Sequence, residues 1–305
     1  MVGEVLVADA IGKSFGERRI LSAATLRVMA GEVRVLFGRN GIGKSTLMKI
    51  AVGHLQPDSG IVRYAGRARL SVRLSQLASE GLFYLGDAGL FSSAFPLRRQ
   101  LHWLAGTREG TAVDAAAART GIAHVLGRRP YELSGGELRR AELAAILVRQ
   151  PRCLVADEPY RGISPKDAAV LSSIFRELAA AGCAVVLSGH EVHTLLDVAD
   201  HVTWCTAGTT YELGSASEAR RHEQFRREYL GPRTSQGSSQ RSRPGEGMGV
   251  VAHALPPSRH GQMRTPAVTL APETTDPDAT LVAPNPALTD SRCAARKSHD
   301  ASPGP

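Results

Sequence analysis

Cysteine is scarce in this chain. The four residues Cys153, Cys183, Cys205 and Cys293 include no C-x-x-C pair, which argues against a zinc site or a disulfide framework. Three of them lie in apolar, strand-like runs and read as buried small hydrophobes in a reducing compartment. Long apolar runs are missing too: none approaches the roughly 20 residues that span a bilayer. Met1-Val2-Gly3-Glu4-Val5 has neither the basic nor the apolar stretch of a signal peptide. The prediction is a soluble, cytosolic chain; if it serves a membrane, another chain does the spanning. No internal repeat is present, so a single functional unit is expected. Basic residues exceed acidic ones by 8, against an otherwise ordinary 43% hydrophobic and 22% charged composition over 305 residues. That excess suits nucleic acid or an anionic membrane face. No nucleic-acid-reading module is recognisable, however, and no nucleic-acid partner is expected.

What is present centres on Gly38-Arg39-Asn40-Gly41-Ile42-Gly43-Lys44-Ser45-Thr46. An apolar run, Val33 to Phe37, precedes it and a helical pattern, Leu47 to Val52, follows. Strand, glycine-rich loop and helix is the context in which G-x-x-x-x-G-K-[ST] binds phosphate. Glycines at 38, 41 and 43 let backbone N–H groups converge on phosphate oxygens, and the helix start adds its positive dipole end. Asn40 and Thr46 complete the candidate nucleotide-binding set. Lys44 is placed to reach the β- and γ-phosphates, and the Ser45 hydroxyl to ligate Mg²⁺.

The rest of the chain alternates between short strands and helices. Strands are predicted at 4–8, 20–28, 61–64, 82–85, 153–156, 184–188 and 202–205, with a short return through 211–213. Between 91 and 150 the pattern is helical, and further helices are expected at about 165–181 and at 217–229 as one charged segment. This predicts an α/β fold around a mainly parallel sheet, with a helical subdomain at about 88–150. Beyond Gly231 the composition changes abruptly. Eleven of the seventeen prolines fall there, and loss of apolar periodicity predicts a disordered tail over 232–305 that is either solvated or docks as a peptide.

A second group of motifs narrows the class. Leu133-Ser134-Gly135-Gly136-Glu137 opens a helix and lies shortly before Cys153-Leu154-Val155-Ala156-Asp157-Glu158. Taken alone, the pentapeptide is also an ordinary helix cap, with Ser134 three residues before Glu137. Asp157 and Glu158 end an apolar strand, a costly place for two carboxylates that serve no function. With the phosphate loop upstream, the chain resembles the ATP-binding cassette (ABC) ATPases over about residues 4–231. The resemblance implies a P-loop NTPase core with an N-terminal antiparallel β subdomain and an inserted helical subdomain.

It also implies roles for individual residues. Ser134, Gly135, Gly136 and Glu137 would be the signature motif, closing on ATP held by a second ABC ATPase chain. Asp157 would hold Mg²⁺ through its water shell, and Glu158 would act as general base towards the attacking water. His190, after Val185-Val186-Leu187-Ser188-Gly189, matches the family's switch histidine. Phe15 fits the aromatic that stacks on adenine, although an aromatic between two strands also reads as core. ATP and Mg²⁺ are the implied ligands, and membrane-spanning permease subunits the implied partners, which places the chain on the cytoplasmic face of the inner membrane.

Two positions depart from the family pattern. Asp87 stands where Gln is usual, in the loop that senses Mg²⁺ and touches the membrane partner. Ser164 replaces the Asp of the loop that couples the two sites across the dimer. The stretches 133–142 and 157–165, and the ending Tyr229-Leu230-Gly231, are similar to the lipopolysaccharide-export and branched-chain amino-acid cassettes. Two rival readings remain. One is a regulatory cassette that binds ATP with little turnover, and the other a non-transport ABC ATPase, although neither the second cassette nor the long inserted coiled coil of such proteins is present.

Overall fold

A computed structural model describes residues 3–69, 72–86, 89–106 and 110–231. The predicted tail at 232–305 and Cys293 lie outside the described residues. Two sheets carry the fold. The first pairs β1 (Glu4–Phe15), β2 (Arg18–Met29), β4 (Ser59–Tyr64) and β5 (Arg67–Arg69) in the order β2-β1-β4-β5, antiparallel throughout. The second adds β3 (Val33–Phe37), β6 (Leu82–Leu85), β7 (Cys153–Ala156), β8 (Ala184–Ser188), β9 (His201–Thr206) and β10 (Thr209–Ser215). Its order is β10-β9-β3-β8-β7-β6, parallel except for the edge strand β10.

The central strands are continuous apolar runs because both of their faces are covered. Alternate side chains divide between two cores. Val35, Leu154, Ala156, Val185 and Leu187 point into one, which continues into α3 (Leu97–Ala105), α5 (Gly135–Arg149) and α6 (Pro165–Ala180). Leu36, Val155 and Val186 point into the other, shared with α1 (Lys44–Ala51) and the antiparallel sheet. Each large side chain fully buried in this way contributes about 1.5–3 kcal/mol. With α4 (Gly110–Thr120), α3 and α5 form the helical insert between β6 and β7, within the range read from the sequence.

Several boundaries differ from the sequence reading. β1 and β2 run on to meet in a tight turn at Gly16-Glu17, which takes up residues 13–15 and 18–19 that read as a connection. Helix α2 (Leu74–Ser79) and strand β5 were not expected. The single charged helix read over 217–229 is two, α8 (Ala216–Arg221) and α9 (Glu223–Tyr229). The break is at His222, which is extended (φ −63, ψ 116) and accepts the Phe225 N–H on Nδ1 at 3.3 Å, capping the second helix. Phe225 is thereby turned inward against Phe37, with ring centroids 5.2 Å apart.

Arg34 is charged, yet it lies within β3 with 7% exposure. Its Nε donates to Glu32 at 2.7 Å and its Nη1 to Thr203 Oγ1 at 3.0 Å, and it also pairs with Glu212 on β10. The guanidinium therefore ties the strand that feeds the phosphate loop to β9 and β10. Arg34→Met leaves the buried Glu32 carboxylate without its cation, and we expect a loss of about 3 kcal/mol. A urea titration checks this: the midpoint falls at unchanged slope, and a change under about 0.5 kcal/mol would mean the network contributes nothing to stability.

Candidate nucleotide-binding and hydrolytic site

The loop between β3 and α1 takes its shape from positions where a side chain does not fit. Gly43 has φ +116, and a Cβ there would lie 2.7 Å from Leu21 Cδ2. At Gly38 a Cβ would lie 2.7 Å from the Cys205 carbonyl oxygen. Both contacts are shorter than carbon–carbon or carbon–oxygen packing tolerates, so the loop backbone stays bare. Gly43 is the N-cap of α1, and among the described residues no side chain caps the helix start, so its first N–H groups can meet an anion.

Lys44 opens α1 and is 5% exposed. Its ammonium donates back to the loop carbonyls of Gly38 at 2.6 Å and Arg39 at 3.2 Å. Burial lowers its pKa below the ordinary lysine value, while the Glu158 and Asp157 carboxylates oppose that shift. A cleft of about 650 Å³ opens over this loop, lined by Asn40, Gly41, Gly43, Lys44, Ser45 and Thr46. Phe15, Arg18, Glu158 and His190 line the same cleft. Phe15 is 51% exposed, so it is not a core aromatic, and Lys13 Nζ sits 5.7 Å from its ring centre.

The acidic pair lies beyond the C-terminal end of β7. Register sets its neighbours: Ala156 pairs with Leu187 on β8, so Asp157 comes beside Ser188. The buried Ser188 hydroxyl donates to Asp157 Oδ1 and accepts the Glu158 N–H at 3.1 Å. Glu158 adopts the left-handed backbone region at φ +49, uncommon for a non-glycine residue. Its Oε1 lies 3.1 Å from His190 Nε2, and its Oε2 lies 3.7 Å from Arg161. The structure thus places His190 beside Glu158, two residues that the sequence reading named separately, and adds Ser188, Arg161 and Arg139, which that reading did not assign to the site. A serine ending an apolar strand carries little signal until the strand register is known.

Among the described residues, no cluster of three or more His, Cys, Asp or Glu is arranged to hold a metal by itself. Ser45 and Asp157 line one neighbouring cleft of about 410 Å³. One hydroxyl and one carboxylate are the hard oxygen donors that suit Mg²⁺ when phosphate oxygens and water fill the remaining positions. These two residues fit the ion on that basis. Asp87, the other expected magnesium contact, lies outside the described residues.

Ser134 caps α5. Its hydroxyl accepts the Glu137 N–H at 3.3 Å and donates to the Glu137 carboxylate at 2.8 Å, while its N–H donates to the same carboxylate at 2.9 Å. These bonds hold the Glu137 carboxyl down to about 2. None of Ser134, Gly135, Gly136 and Glu137 is among the described residues lining the cleft over Lys44. Gly135 lines the adjacent cleft instead, and Ser134 and Gly135 are exposed. Ser164, the second departure, caps α6 by accepting the Asp167 N–H at 3.1 Å. Of the cysteines, Cys153, Cys183 and Cys205 are buried free thiols, and burial pushes the last two up to about 12 and about 11.

Comparison with known proteins follows the same line. Residues 21–161 match the family described as ABC transporter. The chain is 28% identical over 234 residues to the lipopolysaccharide export system ATP-binding protein LptB of Haemophilus influenzae, covering 74% of this chain and 97% of that one. It is 32% identical over 207 residues to the zinc import ATP-binding protein ZnuC of Brucella suis biovar 1, covering 66% of each. Among solved structures, the ADP conformation of MJ1267, an ATP-binding cassette of an ABC transporter, superposes with a TM-score of 0.64 at 22% identity. That match covers 75% of this chain and all of the other. The cbiO1 protein of Clostridium perfringens, part of the ABC transporter complex cbiONQ, gives 0.61 at 23%, over 74% of this chain and 94% of that one.

Proposed function

Because the chain belongs to the ABC transporter family of ATP-binding cassettes, we propose that it is the ATPase subunit that powers transport through separate membrane-spanning subunits. The observation that carries the reading at residue level is the convergence, on one cleft, of the phosphate loop with Glu158 and His190. Main-chain N–H groups of 41–46 and Lys44 bind the phosphates. The Phe15 ring stacks on the base at the side of the cleft. Ser45 and Asp157 would hold Mg²⁺, which would supply positive charge against the phosphoryl oxygens.

Glu158 accepts a proton from a water as that water's oxygen bonds to the γ-phosphorus. The β–γ bridging bond breaks, and its electron pair leaves with ADP. His190 holds Oε1 of the carboxylate and reaches towards the γ-phosphate. The active unit is a dimer in which Ser134, Gly135 and Gly136 of one copy meet the nucleotide of the other. In support, Ser134 and Gly135 are exposed at the start of α5, and none of the three is among the described residues lining their own chain's cleft over Lys44. Permease subunits hold the dimer at the cytoplasmic face of the inner membrane. Among the described residues no helix is long and apolar enough to cross it.

The test is a coupled one. With Mg-ATP, wild-type protein releases phosphate, and Glu158→Gln protein doubles in mass by light scattering. Absence of ATP-dependent doubling overturns the dimer. Absence of phosphate release, with permease subunits present, favours the second reading: a cassette that binds ATP and turns it over little. Ser164, engaged in capping α6 where the family places an acid, is the observation behind that alternative.

A further inference from the structure

Arg139 lies on the fifth residue of α5, the helix that Ser134 caps. Its Nη1 donates to Glu142 Oε2 at 2.6 Å, and its Nη2 donates to the backbone carbonyl of Glu158 at 3.2 Å. Both partners of the second bond line the 410 Å³ cleft, together with Gly135, Glu142, Ser45 and Asp157. Glu142 is 5% exposed, and burial raises its carboxyl pKa while the Arg139 guanidinium opposes the rise. Nothing in the phosphate loop or in the hydrolytic step described above uses either residue.

Glu158 is held at both backbone groups. Its N–H donates to Ser188 on the strand side, and its carbonyl accepts the Arg161 N–H at 3.1 Å within its own turn and Arg139 Nη2 on the helical side. Between these anchors the residue sits in the left-handed region at φ +49, a conformation that persists only where surrounding contacts determine it. Rotating that peptide swings the carboxylate away from the water whose proton it accepts. A planar guanidinium fixed by a buried carboxylate suits this task, because both donors are pre-oriented and one geometry serves both partners.

We propose that Arg139, oriented by Glu142, is a positioning residue that makes the aim of the Glu158 carboxylate depend on the placement of the signature helix of the same chain. A shift of α5 that breaks the Arg139–Glu158 bond disengages the general base, so turnover follows the state of the helix that meets the partner's nucleotide. This rests on the reading of Glu158 as general base.

The experiment is ATPase kinetics on the full chain with Arg139→Met, Arg139→Lys and the double change Arg139→Met with Glu142→Met. The double change leaves no lone buried charge and so keeps the test open if Arg139→Met alone fails to fold. We expect kcat to fall about 10-fold or more in Arg139→Met and in the double change, with KM for ATP within about 2-fold. Arg139→Lys, with a single ammonium that cannot serve both partners in fork geometry, is expected to fall about 3-fold. In a Glu158→Gln background, adding Arg139→Met is expected to cause no further loss, because the two act through one carboxylate. Wild-type kcat in the folded double change, KM rising in step with the loss, or an equal loss in both backgrounds would each overturn the proposal. Wild-type turnover in Glu158→Gln alone would instead overturn the assignment of the general base.

Discussion

Glu158→Gln lowers the rate of ATP turnover by about 10²–10³-fold, the usual contribution of a positioned general base, and leaves ATP affinity within about 3-fold. The change is nearly isosteric, so Ser188 and Arg139 keep their bonds to the residue's backbone and the cleft keeps its shape. On the proposed role, what is lost is the oxygen that takes the water's proton. One negative charge also disappears from the wall of the phosphate cleft, which favours binding of the polyanion if it alters it at all. Single-turnover phosphate release and equilibrium binding of a fluorescent ATP analogue separate the two quantities. Turnover within 10-fold of wild type would remove Glu158 from the chemistry, and a large loss of affinity would make it a binding residue.

Lys44→Ala acts on the other quantity. The ammonium is nearly buried, and its partners are loop carbonyls that lie beside the phosphate cleft. Hydrogen bonds from a charged donor contribute about 1.5–3 kcal/mol each. Losing the one that meets the β- and γ-phosphates is expected to raise the Kd for ATP by about 10–100-fold. ADP affinity is expected to fall less, because the γ-phosphate contact is absent from both proteins. Titration calorimetry with the two nucleotides checks this, and affinities unchanged for both would mean that Lys44 serves only to brace its own loop.

Much of the site was legible because its chemistry is local in sequence. The phosphate loop, its strand and its helix lie within 33–51, and each residue's task follows from its distance along the chain from the turn. Likewise, Asp157 and Glu158 could be placed at a strand end because the four residues before them are apolar. Ser188 could not be assigned in this way. Its bonds to Asp157 and Glu158 arise from the pairing of β7 with β8, which brings together positions 31 and 30 residues apart. Arg139 was not assigned a role from the sequence, because its bond to the Glu158 carbonyl depends on where α5 lies in the fold. The break at His222 was hidden for a related reason: no glycine or proline marks it, and the force that makes it is the burial of Phe225 beside Phe37.

The sequence by itself determined the α/β order of elements, the phosphate loop and the acidic strand end. These depend on periodicity and on local backbone geometry, which neighbouring residues dictate. Only the tertiary structure decided which groups contact Glu158, namely Ser188, His190, Arg161 and Arg139. Their positions depend on strand register and on the packing of helix against sheet, and no short-range pattern encodes those distances.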